Sequence, residues 1–251
     1  MRVVIPSYNN ATWCEKNLDS VVTQRYNNFD IVYIDDASTD STYELVQAIA
    51  SRQSRIKITA LHNPQRLGAL ANHVRAFQTT PGNIIIVSLD GDDWFAYEHV
   101  LADLNTLYHL TGCWMTYGQF QNWPTGQMGW CSHIPHNIVR AHAYREFGFV
   151  TAQTRTYFAW LAQLIHDEDL RDNEGQHYTT AGDVALMMPM LEMSGGRFIF
   201  VDRVTCIRNV ATELNDFKLR AAQQKAVTRS IRKKQKYKPL PCKRGGINST
   251  P

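Results

Sequence analysis

Ser88-Leu89-Asp90-Gly91-Asp92-Asp93-Trp94 follows directly on the apolar run Ile84-Ile85-Ile86-Val87. Four successive branched apolar residues bounded by polar ones read as a strand buried on both faces. The stretch therefore sets up to three carboxylates at the C-terminal end of a buried strand. In open α/β sheets that end faces the ligand crevice. Carboxylates this close repel one another unless a cation or donor groups surround them. A hard divalent cation satisfies carboxylate oxygens and holds a diphosphate at the same time. An acidic turn opening a helix would fit the same letters.

Outward from this stretch, the first hundred residues alternate. Strands are expected at residues 2–5, 30–34, 56–61 and 83–89, and helices at 11–23, 41–52 and 67–79. The helices have apolar faces: Leu18, Val21 and Val22; Leu45, Val46 and Ile49; Leu70, Val74 and Phe77. Such alternation with short connections predicts an α/β fold, a mostly parallel sheet flanked by helices. The second half is less regular. Strands are expected at 114–120, 197–201 and 203–207, and helices at 158–165, 183–193 and 212–236. Residues 121–132 read as a loop, and the acidic stretch 167–177 as a mobile flap.

Size and composition narrow the classes. The 251 residues are 44% hydrophobic, ample for a core, and no apolar run reaches the ~20 residues of a membrane span. No signal-peptide pattern opens the chain. Cys14, Cys113, Cys131, Cys206 and Cys242 form no paired spacing, which argues against a zinc site or a disulfide framework. A cytoplasmic setting is expected. Charge is asymmetric: residues 217–251 carry eleven Lys or Arg and no acid, and the rest carries 15 basic and 23 acidic residues. The basic tail suits an anionic surface or partner, and residues 238–246 read as linker.

Each early strand ends in residues suited to a nucleotide. These are Pro6-Ser7-Tyr8-Asn9, then Asp35-Asp36-Ala37-Ser38-Thr39-Asp40, then the acidic cluster. A carboxylate there can accept from a base N–H or a ribose hydroxyl, although Asp36 and Asp40 also suit helix capping. No glycine-rich phosphate loop is present. A phosphate-bearing ligand would depend on a metal and on basic side chains, with Arg66 a candidate.

These segments, with residues 63–72, resemble family 2 glycosyltransferases in order, spacing and local chemistry. The resemblance is strong over residues 1–100 and weaker over 110–210. It implies a type A glycosyltransferase (GT-A) fold, Rossmann-like, with a smaller mixed region on the acceptor side. It implies a nucleotide-sugar donor, most often a UDP-sugar, with Mn²⁺ or Mg²⁺. Pro6, Ser7, Tyr8, Asn9, Asp35 and Asp36 would serve the base end. Asp90, Gly91 and Asp92 would lie along ribose and diphosphate, and Asp92 or Asp93 would ligate the metal.

In the family a carboxylate just before an apolar helix is the general base, and Asp183 occupies that place. Many relatives carry a His after the late strands; here the region reads Cys206-Ile207-Arg208-Asn209-Val210. His133, His136 and His142 are possible substitutes. Trp94, Trp123, Trp130 and Trp160 are aromatic faces for sugar rings or core residues. The expected organisation is a nucleotide-sugar subdomain at 1–110, an acceptor and catalytic subdomain at 111–216, and a basic helix and linker at 217–251. The expected activity is inverting, metal-dependent hexosyl transfer to an acceptor hydroxyl. The alternative is an inactive adaptor that binds nucleotide-sugar or polyanion.

Overall fold

The computed structural model describes residues 1–212 and 221–241. Cys242, the end of the expected linker and the basic residues Lys218, Arg220, Lys243 and Arg244 lie outside the described residues.

The elements run β1 (Arg2–Ser7), α1 (Cys14–Val22), β2 (Asp30–Asp35), α2 (Thr42–Arg52), β3 (Ile58–His62), α3 (Ala69–Gln78) and β4 (Ile85–Ser88). There follow β5 (Trp94–Phe95), α4 (Val100–Thr111), β6 (Met115–Trp123), α5 (His136–Arg140), β7 (Arg155–Phe158) and α6 (Ala159–Gln163). A 3-10 turn (Asp167–Leu170), α7 (Gly182–Ser194), β8 (Phe198–Asn209) and α8 (Ala221–Lys233) complete them. One eight-stranded sheet takes the order β3-β2-β1-β4-β7-β6-β8-β5. The β3-β2-β1-β4 half is parallel. β7 then runs antiparallel to both β4 and β6, β8 is parallel to β6, and β5 is antiparallel to β8. The sheet is thus α/β and mixed, with its parallel half built from the region of regular alternation.

Side chains leave a strand on alternate faces, and the two cores follow that rule. Val3, Ile5, Ile31, Tyr33 and Val87 meet Leu18 and Val21 of α1, Val46 of α2 and Leu104 of α4. Val4, Ile34 and Ile86 point the other way, onto Leu70, Val74 and Phe77 of α3 and the apolar α7. Each fully buried Leu or Val contributes about 1.5–3 kcal/mol over leaving it in water.

Several expectations change in detail. Leu45, expected on the inner face of α2, is exposed while its neighbour Val46 is fully buried. The α1 and α3 helices are shorter than the expected spans 11–23 and 67–79, and keep all of their named apolar residues. The two expected late strands are one strand, β8, whose register against β6 shifts between Gly118 and Phe120. The short β7 and the helix α4 were not foreseen. The first residues of the stretch 167–177 contact the C-terminal segment, while residues 172–176 are exposed. Leu170 is buried, Lys234 Nζ donates to the carbonyls of Glu168 (2.6 Å) and Arg171 (3.1 Å), and the Tyr237 hydroxyl donates to Asp169 (2.5 Å). Residues 238–241 are also anchored, with the Leu240 N–H donating to the Met193 carbonyl (2.9 Å). Among the described residues no helix is long and apolar enough to cross a membrane.

Candidate active site

The C-terminal ends of β1, β2 and β4 open on one crevice, as parallel strands require. Pro6, Ser7, Tyr8, Asp36, Arg66, Asp90, Gly91 and Asp92 all line it. Arg66 lies over the Tyr8 ring, 3.9 Å from its centroid, so the two close one rim by a cation–π contact. Asn10 and Asn72 also face this crevice and were not singled out from the sequence.

Two expected residues are drawn away from it. The Asn9 backbone N–H donates to Ser38 Oγ (2.9 Å), and its side-chain oxygen accepts from the Thr39 N–H (2.8 Å). It staples the first loop to the second. Asp35 is fully buried, accepting from the Ser38 N–H (3.1 Å) and meeting His62 Nδ1 (2.8 Å). Asp36 keeps its place but is heavily bonded. It accepts from Asn63 Nδ2 (2.8 Å) and from the N–H groups of Leu67 (2.9 Å) and Gly68 (2.8 Å) at the start of α3. Burial works against its charge, but these donors together outweigh it and hold the carboxyl below its ordinary range.

The acidic loop is fixed by its backbone. Asn17 Nδ2 on α1 donates to the carbonyls of Asp90 (3.0 Å) and Asp93 (2.6 Å). Its three carboxylates then diverge. Asp93 is buried, and its Oδ1 accepts from the Asn209 N–H (2.8 Å) on β8. Burial and the neighbouring Asp92 and Asp90 push its carboxyl well up. Asp90 accepts from Gln153 Nε2 (2.5 Å) and, at 3.5 Å, from Arg155. Asp92 is half-buried at the cleft, and burial with the charge of Asp90 pushes it up to about 7. Asp90 and Asp92 are thus the carboxylates open to a ligand. Among the described residues no three His, Cys, Asp or Glu side chains gather to hold a metal by themselves.

A second cleft of about 280 Å³ continues from the acidic loop to the start of α7. Asp90, Asp92, Arg155, Asp183 and Arg208 share it. Asp183 sits in the first turn of α7, its Oδ1 accepting from the Val184 N–H (2.8 Å). Gly182 before it is pressed on α3: a β-carbon there would lie 2.9 Å from Leu70 Cβ. Arg155, buried at the start of β7, feels both walls. Burial opposes its charge, but Asp90 and then Asp183 outweigh that and hold the guanidinium protonated. His73 on α3 is buried beside it, pushed down to about 4 by burial and by Arg155, and so is neutral.

Sequence reading missed Arg155, Gln153 and His73, and took Arg208 only as the absence of a histidine. The alternating Thr154-Arg155-Thr156-Tyr157 was the available signal for a strand. The histidines named as substitutes stand elsewhere. His133 packs edge-on against Phe200, His142 Nε2 meets the Tyr237 carbonyl (2.8 Å), and His136 is exposed on α5. Trp94 and Trp123 pack with Trp13 behind the acidic loop, and Trp160 packs on Trp114. Trp130 alone of the four is mostly open, at 52% exposed.

Known proteins resemble this chain in sequence and in fold. A glycosyltransferase of Haemophilus influenzae, itself uncharacterized, is 28% identical over 171 residues, 67% of this chain and 63% of the relative. The glycosyltransferase GlyA of Streptococcus pneumoniae is 32% identical over 106 residues, 42% of this chain and 14% of GlyA. The chain thus spans less than two thirds of either relative. Among solved structures, S. aureus TarS 1–349 in complex with UDP superposes with a TM-score of 0.62 at 16% identity, over 83% of this chain and 60% of that one. The mannosyltransferase PcManGT of Pyrobaculum calidifontis, in complex with GDP-Man and Mn²⁺, gives 0.63 at 21% identity, over 94% and 65%. Both share the fold. The model of glycosyl transferase family 2 matches residues 2–159, well over half of the sequence, and the chain belongs to that family of transferases.

Proposed function

We propose that the chain transfers a hexosyl group from a UDP-sugar to an acceptor hydroxyl with inversion, assisted by a divalent cation, with Asp183 as general base. The observation that carries this reading is the shared cleft: Asp183 stands on the α7 wall and Asp90 with Asp92 on the β4 wall. A base and a leaving diphosphate on opposite walls suit a single in-line displacement. Asp183 would take the proton of the acceptor hydroxyl as that oxygen attacks the anomeric carbon. Arg155, held protonated between the two walls, would offset the negative charge gathered there.

The donor set fits a divalent cation with a diphosphate. Asp90 and Asp92 leave oxygens open to the cleft, and such cations bind through one or two carboxylates plus substrate phosphates. Asp92 is the better ligand of the expected pair, because Asp93 is committed to the Asn209 N–H. Mn²⁺ or Mg²⁺ would supply neutralisation of the charge on the departing diphosphate. UDP is favoured over other nucleotides by the family resemblance, with Tyr8, Asp36 and Arg66 at the base end.

Two measurements test the reading. Calorimetry should give UDP binding that strengthens with Mn²⁺, and equal affinity without metal would sink the metal claim. Asp183→Asn should lose about 10²–10⁴-fold in turnover of the UDP-sugar and leave UDP affinity unchanged. Unaltered turnover in that variant would remove Asp183 from the reaction. A wild-type chain that binds UDP but turns over no donor would favour the adaptor.

A further inference from the structure

Beyond Asp183 the cleft opens, away from the donor crevice, into a second basin of about 580 Å³. Its far wall is α8, the helix of the basic tail. Lys225, Arg229 and Arg232 stand on that wall, and Arg155 and Arg208 on the sheet side. The carboxylates among the described lining residues are Asp90 and Asp183, and these already balance Arg155. Arg208 also acts on Asp92 and Asp93 of the acidic loop, whereas among the described residues no ion pair joins Lys225 or Arg229 to a carboxylate.

Lys225 and Arg229 are exposed, and the fold fixes which way they face. Lys225 and Arg229 are four residues apart, hence one above the other on one side of the helix, where like charges disfavour it. Ile231 is buried in the core and Val227 packs against it, which turns the charged side to the basin. The helix is locked in this orientation. Arg145 is buried, grips Glu192 with Nε (2.5 Å) and Nη2 (2.8 Å), and uses Nη1 to bind the carbonyls of Ile231 (2.7 Å) and Lys234 (3.0 Å). Trp130 offers a mostly open apolar face at the same basin, beside Arg208 at 5.6 Å. A planar aromatic next to cations suits a ring bearing an anionic group.

We propose that the acceptor is an anionic carbohydrate, its phosphate or carboxylate seated among Lys225, Arg229 and Arg208 and its ring against Trp130. This rests on the glycosyltransferase reading of the cleft. The acceptor oxygen forms its bond to the anomeric carbon as the bond from that carbon to the diphosphate oxygen breaks. The proton passes to Asp183, and the electron pair leaves with the nucleoside diphosphate. The anion-binding cations thus hold the acceptor, while the acidic loop serves the donor.

The test uses the full chain with glucose, glucose 6-phosphate and glucuronate, their binding read by saturation-transfer NMR. One or both anionic sugars should bind about fivefold or more tighter than glucose, a gain in keeping with two or three exposed charge pairs. Preference for glucose 6-phosphate alone names phosphate as the anion, and preference for glucuronate alone names carboxylate. The double variant Lys225→Gln, Arg229→Gln should reduce the preference below about twofold. Equal binding of charged and neutral sugars would overturn the proposal. So would a preference that survives the double variant, or binding of anionic vesicles through these residues without binding of the sugars. UDP affinity is the separate readout: its absence in the wild type sinks the glycosyltransferase reading, and its persistence in the double variant shows the fold intact.

Discussion

Gly91 lies so close to Ser7 that a β-carbon at position 91 would sit 2.4 Å from Ser7 Oγ and 3.0 Å from Ser7 Cα. The Gly91 N–H also donates to the Pro6 carbonyl (3.1 Å). The glycine in the acidic loop is therefore there for close approach to β1, and its φ is not in the left-handed region. This contact sets where Asp90 and Asp92 stand in the crevice at the ends of β1, β2 and β4.

Gly91→Ala is accordingly expected to lose about 1–3 kcal/mol of stability, the range for overpacking a tight site. It should also weaken UDP binding, because the loop must move off β1. Urea denaturation and UDP calorimetry would check both. Wild-type affinity in the variant would mean that the loop position does not matter to the donor.

Asp36 should leave a signature in acid. Its folded pKa is depressed below the ordinary 3.8, so the stability it contributes is fully present above that value. That stability is lost as the pH falls through the depressed pKa. Asp36→Asn should cost about 1–3 kcal/mol at pH 6 by weakening the donors it holds. The difference from wild type should shrink below pH 4. A difference independent of pH from 2.5 to 6 would contradict the charge-based account.

Asp92 should behave in the opposite sense. Its folded pKa is raised to about 7 by burial and by Asp90. The ionised carboxylate is therefore a liability in the metal-free protein, absent below the unfolded value and complete above about 7. Asp92→Asn should raise metal-free stability by on the order of 1 kcal/mol at pH 8, a figure reduced for solvent screening at the open cleft. The gain should vanish near pH 4, and Mn²⁺-dependent UDP binding should weaken. Thermal melts at pH 4.5 and 8 would show it, and an equal gain at both would be wrong for this cause.

Arg145 and Glu192 hold the C-terminal segment, and the Tyr237 N–H also donates to Glu192 (2.9 Å). Arg145→Met should cost about 3–5 kcal/mol, because it leaves a buried carboxylate unpaired. A chain ending at residue 216 should melt about 6–12 °C lower through loss of the same anchor and of Ile231. It should still bind UDP, since the described lining of the donor crevice ends at Thr212. Loss of UDP binding in a folded truncation would tie α8 to the donor as well.

Much of this was legible in the letters. The apolar run before Ser88, the three helix faces and the polar strand ends at Ser7, Asp36 and Asp90 fix a parallel half-sheet and one crevice. Local pattern suffices there because a strand buried on both faces and a helix with one apolar stripe have different periods. Asp183 is singled out by the family resemblance and not by its spacing, and it stands in the first turn of α7 on the cleft. What the letters left undecided is which of Asp35, Asp36, Asp90, Asp92 and Asp93 look into the crevice. Asp35 and Asp36 are adjacent, yet one is buried against His62 and the other caps α3 across the cleft. That outcome depends on donors from segments nearly thirty residues away, which no local spacing encodes.

The basin beyond Asp183 belongs to the tertiary structure. Arg155 reaches the cleft only because β7 inserts antiparallel beside β4, pairing Ser88 with Arg155. Arg208 arrives on β8, and Lys225 and Arg229 on a helix that composition alone presents as a solvated basic tail. Charge and hydropathy along the chain say how much of each a segment carries. The direction in which α8 presents its cations was decided by Ile231 entering the core and by Arg145 meeting Glu192, contacts made between residues far apart in sequence.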